Sequence, residues 1–392
     1  MSFTWPLMKN TVSWRDKWEM IKFITTTKQF TNGPKVRQFE EEWSKWLGCK
    51  YSLYVTSGST ANLLLLSAVK EHYGLKDGDK VLVPACTWVT NVAPVIQCGF
   101  QPIFCDVNGT NYSFDPDHIM KIARKHPDIK VVFISHLLGY TADNYLYKKA
   151  FPNAIILDDV CESHGCVDTD GTKIGSNSVG ATFSFYFGHH MTTIEGGFVC
   201  TNNYDLYALM KAKRSHGMAR ELPSDDFEKA KKQYPNIDPA FLFITDGYNV
   251  RNHEICAVLG LSQLKRLDSM IEQRRKNHDG FIKVLDKYAE HFHVPSSSRV
   301  NTSYAFPIVT RSENLAKSLK ANLNANGIET RPIVSGNMLL QPFLKGYKIE
   351  PGGKGFVDTI HSNGVYIGNN HFVGEKELAL LDKVINSTIN NV

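Results

Sequence analysis

Four short segments place reactive side chains where a folded chain can use them. Ser57-Gly58-Ser59-Thr60 separates a β-rich run, YSLYV, from a helical one, ANLLLLSAVKEHYGL. A turn there offers free backbone N–H groups and the positive end of a helix dipole, which suits a phosphate, although it also serves as an ordinary βα turn. Ile155-Ile156-Leu157-Asp158-Asp159 ends an apolar strand with two carboxylates, at the edge where α/β proteins bind ligands. They serve either as helix caps or, at Asp159, to hold a protonated ring nitrogen. Trp88 follows the strand Val81-Leu82-Val83-Pro84, in the core or stacked on a planar cofactor. The run from Phe183 and Ser184 to Gly197 holds His189-His190 ahead of Glu195-Gly196-Gly197. An imidazole is the side chain best suited to move protons near neutrality.

The elements that carry these residues follow from hydrophobic spacing. SWRDKWEMIKF and KVRQFEEEWSKWLG have helical periodicity, with Asn32-Gly33-Pro34 as the break. From about residue 50 to 215 short apolar runs alternate with helical ones, which predicts a mostly parallel sheet covered by helices. Residues 255–288 predict one long helix with Leu259, Leu264, Leu267 and Ile271 on its apolar face. A smaller α+β unit follows, with a strand at YAFPIVT, a helix at NLAKSLKANLNANG and a polar, glycine-rich stretch over 345–370. The division falls at about residue 265, giving a large unit over 1–265, N-terminal helices included, and a small one over 266–392.

With 392 residues the chain exceeds the size at which one core stops growing. Its 44 Lys and Arg against 39 Asp and Glu are spread along the chain, so neither a nucleic-acid partner nor a membrane is expected. The longest uncharged stretch, 81–105, is interrupted by Pro84, Asn91, Pro94, Gln97 and Pro102, which predicts separate buried elements and not a membrane span. The start MSFTWPLMKN has no basic-then-apolar leader, and the eight cysteines show no C-x-x-C, so reduced thiols, a cytoplasmic setting and no metal site are expected.

Taken together these motifs resemble the sugar-nucleotide branch of the fold-type-I pyridoxal phosphate enzymes, the DegT/DnrJ/EryC1/StrS family. The likeness rests on Ser57-Gly58-Ser59, on Trp88 and on Asp158-Asp159-Val160-Cys161-Glu162. It continues through Arg214-Ser215-His216-Gly217, Gly247-Tyr248-Asn249-Val250-Arg251, Gly327-Ile328-Glu329-Thr330-Arg331-Pro332 and Gly364-Val365-Tyr366-Ile367-Gly368-Asn369, in the family's order. It implies an α/β aspartate aminotransferase-like fold, with a seven-stranded mainly parallel sheet, helices on both faces and a smaller C-terminal α+β domain. It also implies a homodimer whose active site is shared across the interface.

One departure matters most. In the family's aminotransferases the strand through Ser184 leads to a lysine that bonds covalently to the cofactor aldehyde; here that position is His189, and no lysine occurs between Lys173 and Lys211. An imidazole forms no Schiff base but keeps a proton-transfer role. The pattern is similar to the 3-dehydratases of deoxysugar synthesis. Cys161 and Cys166, the closest cysteine pair, have no third cysteine near them for an iron-sulfur cluster, which favours the cluster-free kind.

The resemblance then implies noncovalent pyridoxal 5′-phosphate or pyridoxamine 5′-phosphate, with L-glutamate as amine and electron donor. The substrate would be a nucleotide-linked 4-keto-6-deoxy sugar, foremost GDP-4-keto-6-deoxymannose, losing its C3 oxygen as ammonia is released. By the same resemblance His189 is the catalytic base, with His190 the other candidate. Gly58, Ser59 and Ser184 hold phosphate, and Trp88 stacks on the ring. Asp159 meets the ring nitrogen, Glu162 lies near the 3-hydroxyl, and Asn249 reaches a neighbouring subunit's cofactor phosphate. His216, Arg251, Glu329 and Arg331 are candidates on the substrate side. A lysine-free sugar aminotransferase, a noncatalytic sugar-nucleotide binder and a dehydratase for a CDP- or dTDP-sugar remain as alternatives.

Overall fold

Short β-branched and aromatic runs, each bounded by turns, assemble into two sheets. The computed structural model describes residues 3–142, 144–296, 301–350 and 355–391. Among these, the first sheet has seven strands: β1 (Tyr51–Val55), β2 (Lys80–Pro84), β3 (Gln101–Cys105), β4 (Val131–Ser135), β5 (Ile155–Asp159), β6 (Gly180–Ser184) and β7 (Gly197–Thr201). They lie in the order β1-β7-β6-β5-β4-β2-β3. Strands β2 to β6 pair in parallel, and β7 runs antiparallel between β6 and β1. Strands β4, β6 and β7 are buried along their whole length, as continuous apolar runs such as VVFIS require when both faces are covered.

The second sheet is antiparallel and holds β8 (Phe292–His293), β9 (Ala305–Thr310), β10 (Thr330–Pro332) and β11 (Gly364–Gly368), in the order β10-β11-β9-β8. Helices Glu313–Ala325 and Glu375–Ile389 bury Leu319, Leu323, Leu381 and Ile385 in its core. The expected α/β architecture is therefore present: a mostly parallel seven-stranded sheet and a smaller α+β unit. No helix among the described residues is long and apolar enough to cross a membrane.

Three local expectations need correction. The single helix expected over 255–288 is two, Glu254–Leu264 and Leu267–Asp286. At the break Arg266 leaves helical geometry (φ −128°, ψ 7°), and its guanidinium pairs with the buried Asp16 carboxylate, which also accepts from Ser262 Oγ at 2.6 Å. That is a contact across about 250 residues of sequence. The polar 345–370 stretch contains the helix Phe356–Asn363 and strand β11. Asp106, beyond the end of β3, starts this helix by accepting from the amides of Phe356 (2.7 Å) and Val357 (2.9 Å).

The N-terminal segment also crosses over. Sequence pattern groups residues 1–265, yet Trp5 packs in the core of the second unit beside Phe281 and Ile328, and its indole N–H donates to the Gly368 carbonyl at 2.9 Å. Truncating so large a buried side chain leaves a cavity costing about 3–5 kcal/mol. Trp5→Ala is expected to lower the unfolding free energy by that amount in urea titrations; a loss under 1 kcal/mol would show that this segment adds nothing to the core.

Candidate active site

The carboxyl ends of β1, β4, β5 and β6 face one another across a cavity of about 490 Å³, closed on the far side by the second unit. Ser57, Gly58 and Ser59 form one wall, at the start of the helix Gly58–His72. The Ser57 side chain caps that helix by accepting from the Thr60 amide at 3.1 Å, and the Ala61 amide bonds the Ser57 carbonyl. The Gly58 and Ser59 amides are therefore left as the orphan donors of a helix N-terminus. Gly58 has no room for a side chain: a Cβ there would lie 2.6 Å from Ser184 Cβ and 2.8 Å from Cys161 Sγ. A Cβ on Gly197 would stand 2.4 Å from the Ser57 carbonyl oxygen. The two glycines let the turn settle onto the sheet edge, leaving backbone N–H groups and the Ser184 hydroxyl as a small cradle.

Across the cavity, Asp159 ends β5. No helix starts after it, so it caps none; its Oδ1 accepts from the Cys161 amide at 3.0 Å and its Oδ2 from Asn62 Nδ2 at 2.8 Å. Its neighbour Asp158 faces away and is engaged by buried His136. His136 Nδ1 accepts from the Ala142 amide, so Nε2 carries the proton and donates to Asp158 at 3.2 Å. Trp88 stands at the cavity wall with 56% of its surface exposed, unlike a core tryptophan.

The electrostatics separate the two central titratable groups. Burial, reinforced by the Arg274 guanidinium, pushes His189 down to about 3, so its imidazole is neutral near physiological pH. Among the described residues its Nδ1 has no hydrogen-bond partner. Arg274, itself buried, donates to the backbone carbonyls of Tyr304 and Asn369. Burial raises Glu162 to about 7, against the hydrogen bond its Oε2 accepts from the Leu138 amide at 2.8 Å; the Asp159 charge adds to the rise. Leu138 adopts φ +55°, a costly conformation for a branched side chain, and Ile194 (φ +71°) and Val334 (φ +46°) do so around the same cavity.

Of the residues singled out from sequence, Gly58, Ser59, Trp88, Asp159, Glu162, Ser184, His189 and Arg331 line this cavity. Glu329 stands behind Arg331, 3.7 Å from its guanidinium, and accepts from the Leu7 amide at 3.0 Å. His216 and Arg251 do not line it: both lie on the loops bridged by the Ser215–Asn249 pairing, with Arg251 donating to Asn249 Oδ1 at 3.0 Å. Asn249 is exposed, away from its own chain's cavity. His190 is fully buried beneath the cavity, its Nε2 3.4 Å from the Thr302 carbonyl. Glu195, Tyr304 and Tyr366 also line the site and were not singled out. Glu195 sits in the His-to-Gly-Gly run and Tyr366 in the Gly364–Asn369 motif, each with a local signal; Tyr304, from the second unit, carried none. Among the described residues the cavity wall contains no lysine.

A sheet of this strand order, with its ligand cavity at the carboxyl edge and an antiparallel second unit against it, is the aminotransferase fold. The chain belongs to the DegT/DnrJ/EryC1/StrS aminotransferase family, matched over residues 14–363, a pyridoxal phosphate-dependent family of sugar-nucleotide enzymes. It is 33% identical over 393 residues to the GDP-4-keto-6-deoxy-D-mannose 3-dehydratase of Escherichia coli O55:H7, covering 97% of each chain. It is similar to the solved structure of an E. coli GDP-4-keto-6-deoxy-D-mannose 3-dehydratase with bound hydrated pyridoxal phosphate (TM-score 0.88, 29% identity, 98% of this chain and 100% of that one). A GDP-4-keto-6-deoxymannose 3-dehydratase holding a trapped pyridoxal phosphate–glutamate geminal diamine is equally similar (TM-score 0.88, 29% identity, 97% and 100%).

The raised Glu162 has a measurable consequence. Between about pH 4.5 and 7 the folded chain keeps a proton on Glu162 that the unfolded chain has released, so this group's contribution falls as pH rises through that window. Glu162→Gln removes the cost of burying the charge. The variant is expected to match wild type near pH 4.5 and to exceed it by on the order of 2 kcal/mol at pH 8, read from paired denaturant titrations. A difference independent of pH would show that Glu162 ionises normally.

Proposed function

We propose that this chain removes the C3 oxygen of a nucleotide-linked 4-keto-6-deoxyhexose, foremost GDP-4-keto-6-deoxymannose, using noncovalent pyridoxamine phosphate regenerated by L-glutamate. The observation that carries this reading is a neutral, half-buried imidazole, and among the described residues no lysine, on the wall of an aminotransferase-fold cavity. The identity with the E. coli 3-dehydratase supports the substrate class.

The cavity fits the cofactor at both ends. The Gly58–Ser59 amides and the Ser184 hydroxyl offer an anion cradle, brought together because residue 58 carries no Cβ to strike Ser184 and Cys161, and Asp159 supplies a carboxylate for a protonated ring nitrogen. Trp88 offers an exposed ring face for stacking. When bound, the cofactor supplies an amine carrier and an electron sink that polypeptide side chains lack.

The residues perform the remaining work. His189, on the cavity wall and neutral near physiological pH, accepts a proton from carbon and returns it; desolvation lowers its basicity and keeps it unprotonated. Glu162, raised to about 7, is partly protonated at neutral pH and can donate to the departing C3 hydroxyl. Arg331, more than half exposed at the wall, suits an anionic group of glutamate or of the sugar nucleotide. Asn249, exposed beyond its own cavity, serves a second copy of the chain in a homodimer. Overall the sugar exchanges C3–OH for C3–H, glutamate becomes 2-oxoglutarate, and its nitrogen leaves as ammonia.

The test is an assay of purified protein with glutamate and GDP-, CDP- or dTDP-linked 4-keto-6-deoxyhexoses. The expected result is equal amounts of 2-oxoglutarate and ammonia with a 3-deoxy-4-keto product, fastest with the GDP sugar. His189→Asn should bind cofactor normally yet lose at least about 100-fold in rate, the usual scale for a general base. An amino sugar as main product would assign the chain to transamination instead.

A further inference from the structure

Asn62 lies one turn into the helix whose first residues form the anion cradle, and its side chain is fully buried. Its amide makes three hydrogen bonds. Oδ1 accepts from Thr182 Oγ1 at 2.6 Å, while Nδ2 donates to the Thr90 carbonyl at 2.9 Å and to Asp159 Oδ2 at 2.8 Å. The orientation is unambiguous: turned over, Oδ1 would face a carbonyl and a carboxylate, neither of which has a proton to give. Other donors to Asp159 are the Cys161 amide on Oδ1 and, at a longer 3.4 Å, Asn91 Nδ2 on Oδ2.

We propose that Asn62 is the positioning residue for Asp159, holding its carboxylate in the plane from which it engages the ring nitrogen of the cofactor. This rests on the reading of Asp159 given above. The physical case is one of shared geometry. The first turn of one helix supplies the amides for the cofactor phosphate and, four residues on, the donor that fixes the carboxylate at the opposite end. The distance between the two anchoring points is thereby set by a rigid element and not by a loop. Thr182 on β6 locks the amide, and the bond to Thr90 ties in the segment that carries Trp88. Ring edge and ring face are thus referred to the same side chain.

The test uses a cofactor analogue that separates positioning from general damage. In 1-deazapyridoxal 5′-phosphate a C–H replaces the ring nitrogen, so it meets the cradle but cannot engage Asp159. Dissociation constants of pyridoxal phosphate and of the deaza analogue are measured by equilibrium dialysis for wild type, Asn62→Leu, Thr182→Val and Asp159→Asn. Wild type is expected to prefer pyridoxal phosphate by about 10- to 100-fold, the scale of a charged hydrogen bond. Asn62→Leu should lose most of that preference while binding the deaza analogue as wild type does. Thr182→Val, nearly isosteric and leaving the Asn62 amide unlocked, should fall between, and it decides the matter if Asn62→Leu does not fold. Equal weakening toward both ligands in the Asn62 and Thr182 variants would reduce Asn62 to a structural role and overturn the proposal. So would an unchanged preference in them while Asp159→Asn loses its own. If Asp159→Asn keeps the preference, the reading of Asp159 itself fails and the proposal with it.

Discussion

The site depends on how closely the Ser57–Ser59 turn can approach the sheet. Backbone meets strand there with no side chain between: a Cβ on Gly58 would enter the Ser184 and Cys161 side chains, and one on Gly197 would enter the Ser57 carbonyl. This contact sets the helix Gly58–His72 against the ends of β5, β6 and β7, so that its N-terminus, the Ser184 hydroxyl and the Asp159 carboxylate share one cavity. Moving the turn outward by even one methyl group would separate the Gly58–Ser59 amides from the Asp159 carboxylate, the two groups proposed to anchor opposite ends of one ligand. The apolar packing of Leu64, Leu65 and Ala68 from that helix against Leu53, Val131 and Leu157 carries the arrangement into the core.

Within that frame, desolvation decides the protonation states. Withdrawing charged groups from water disfavours their charged forms, so one buried pocket moves a histidine down and a glutamate up. His189 stays neutral near physiological pH, and Glu162, raised to about 7, is partly protonated there. Arg274 strengthens the first effect because only backbone carbonyls accept from it among the described residues, leaving its charge uncancelled beside His189, His190 and His164. A lysine at position 189 would face the same cost of burial unless it lost its charge by bonding to an aldehyde. The imidazole meets that cost simply by being neutral.

Much of this was legible in sequence because its signals are local. The Ser-Gly-Ser-Thr turn, the Asp-Asp strand end and the His-His run each lie within a few residues of the strand that positions them, and alternating apolar runs gave the sheet. What escaped depends on contacts distant in sequence. The helix break at Arg266 follows from a bond to Asp16, the helix Phe356–Asn363 starts on Asp106, and Tyr304 and Tyr366 reach the cavity from another sheet. Motif order groups His216 and Arg251 with the substrate side, and the Ser215–Asn249 bridge carries their loops outside this chain's own cavity, beside the exposed Asn249. Asn62 was hidden in plain view, since a polar residue inside LLLL-rich helical sequence announces burial with a partner but not which partner.

The central claim is that the cofactor position of this fold is served by an imidazole and by no amine. Its most direct measurement is the intact mass of the chain after loading with pyridoxal phosphate, reduction with borohydride and denaturation. A chain of unmodified mass, from protein that bound the cofactor before denaturation, is the predicted result. A stoichiometric reduced adduct on any lysine would contradict the account, because it would place an amine within bonding distance of the aldehyde that His189 is held to face alone.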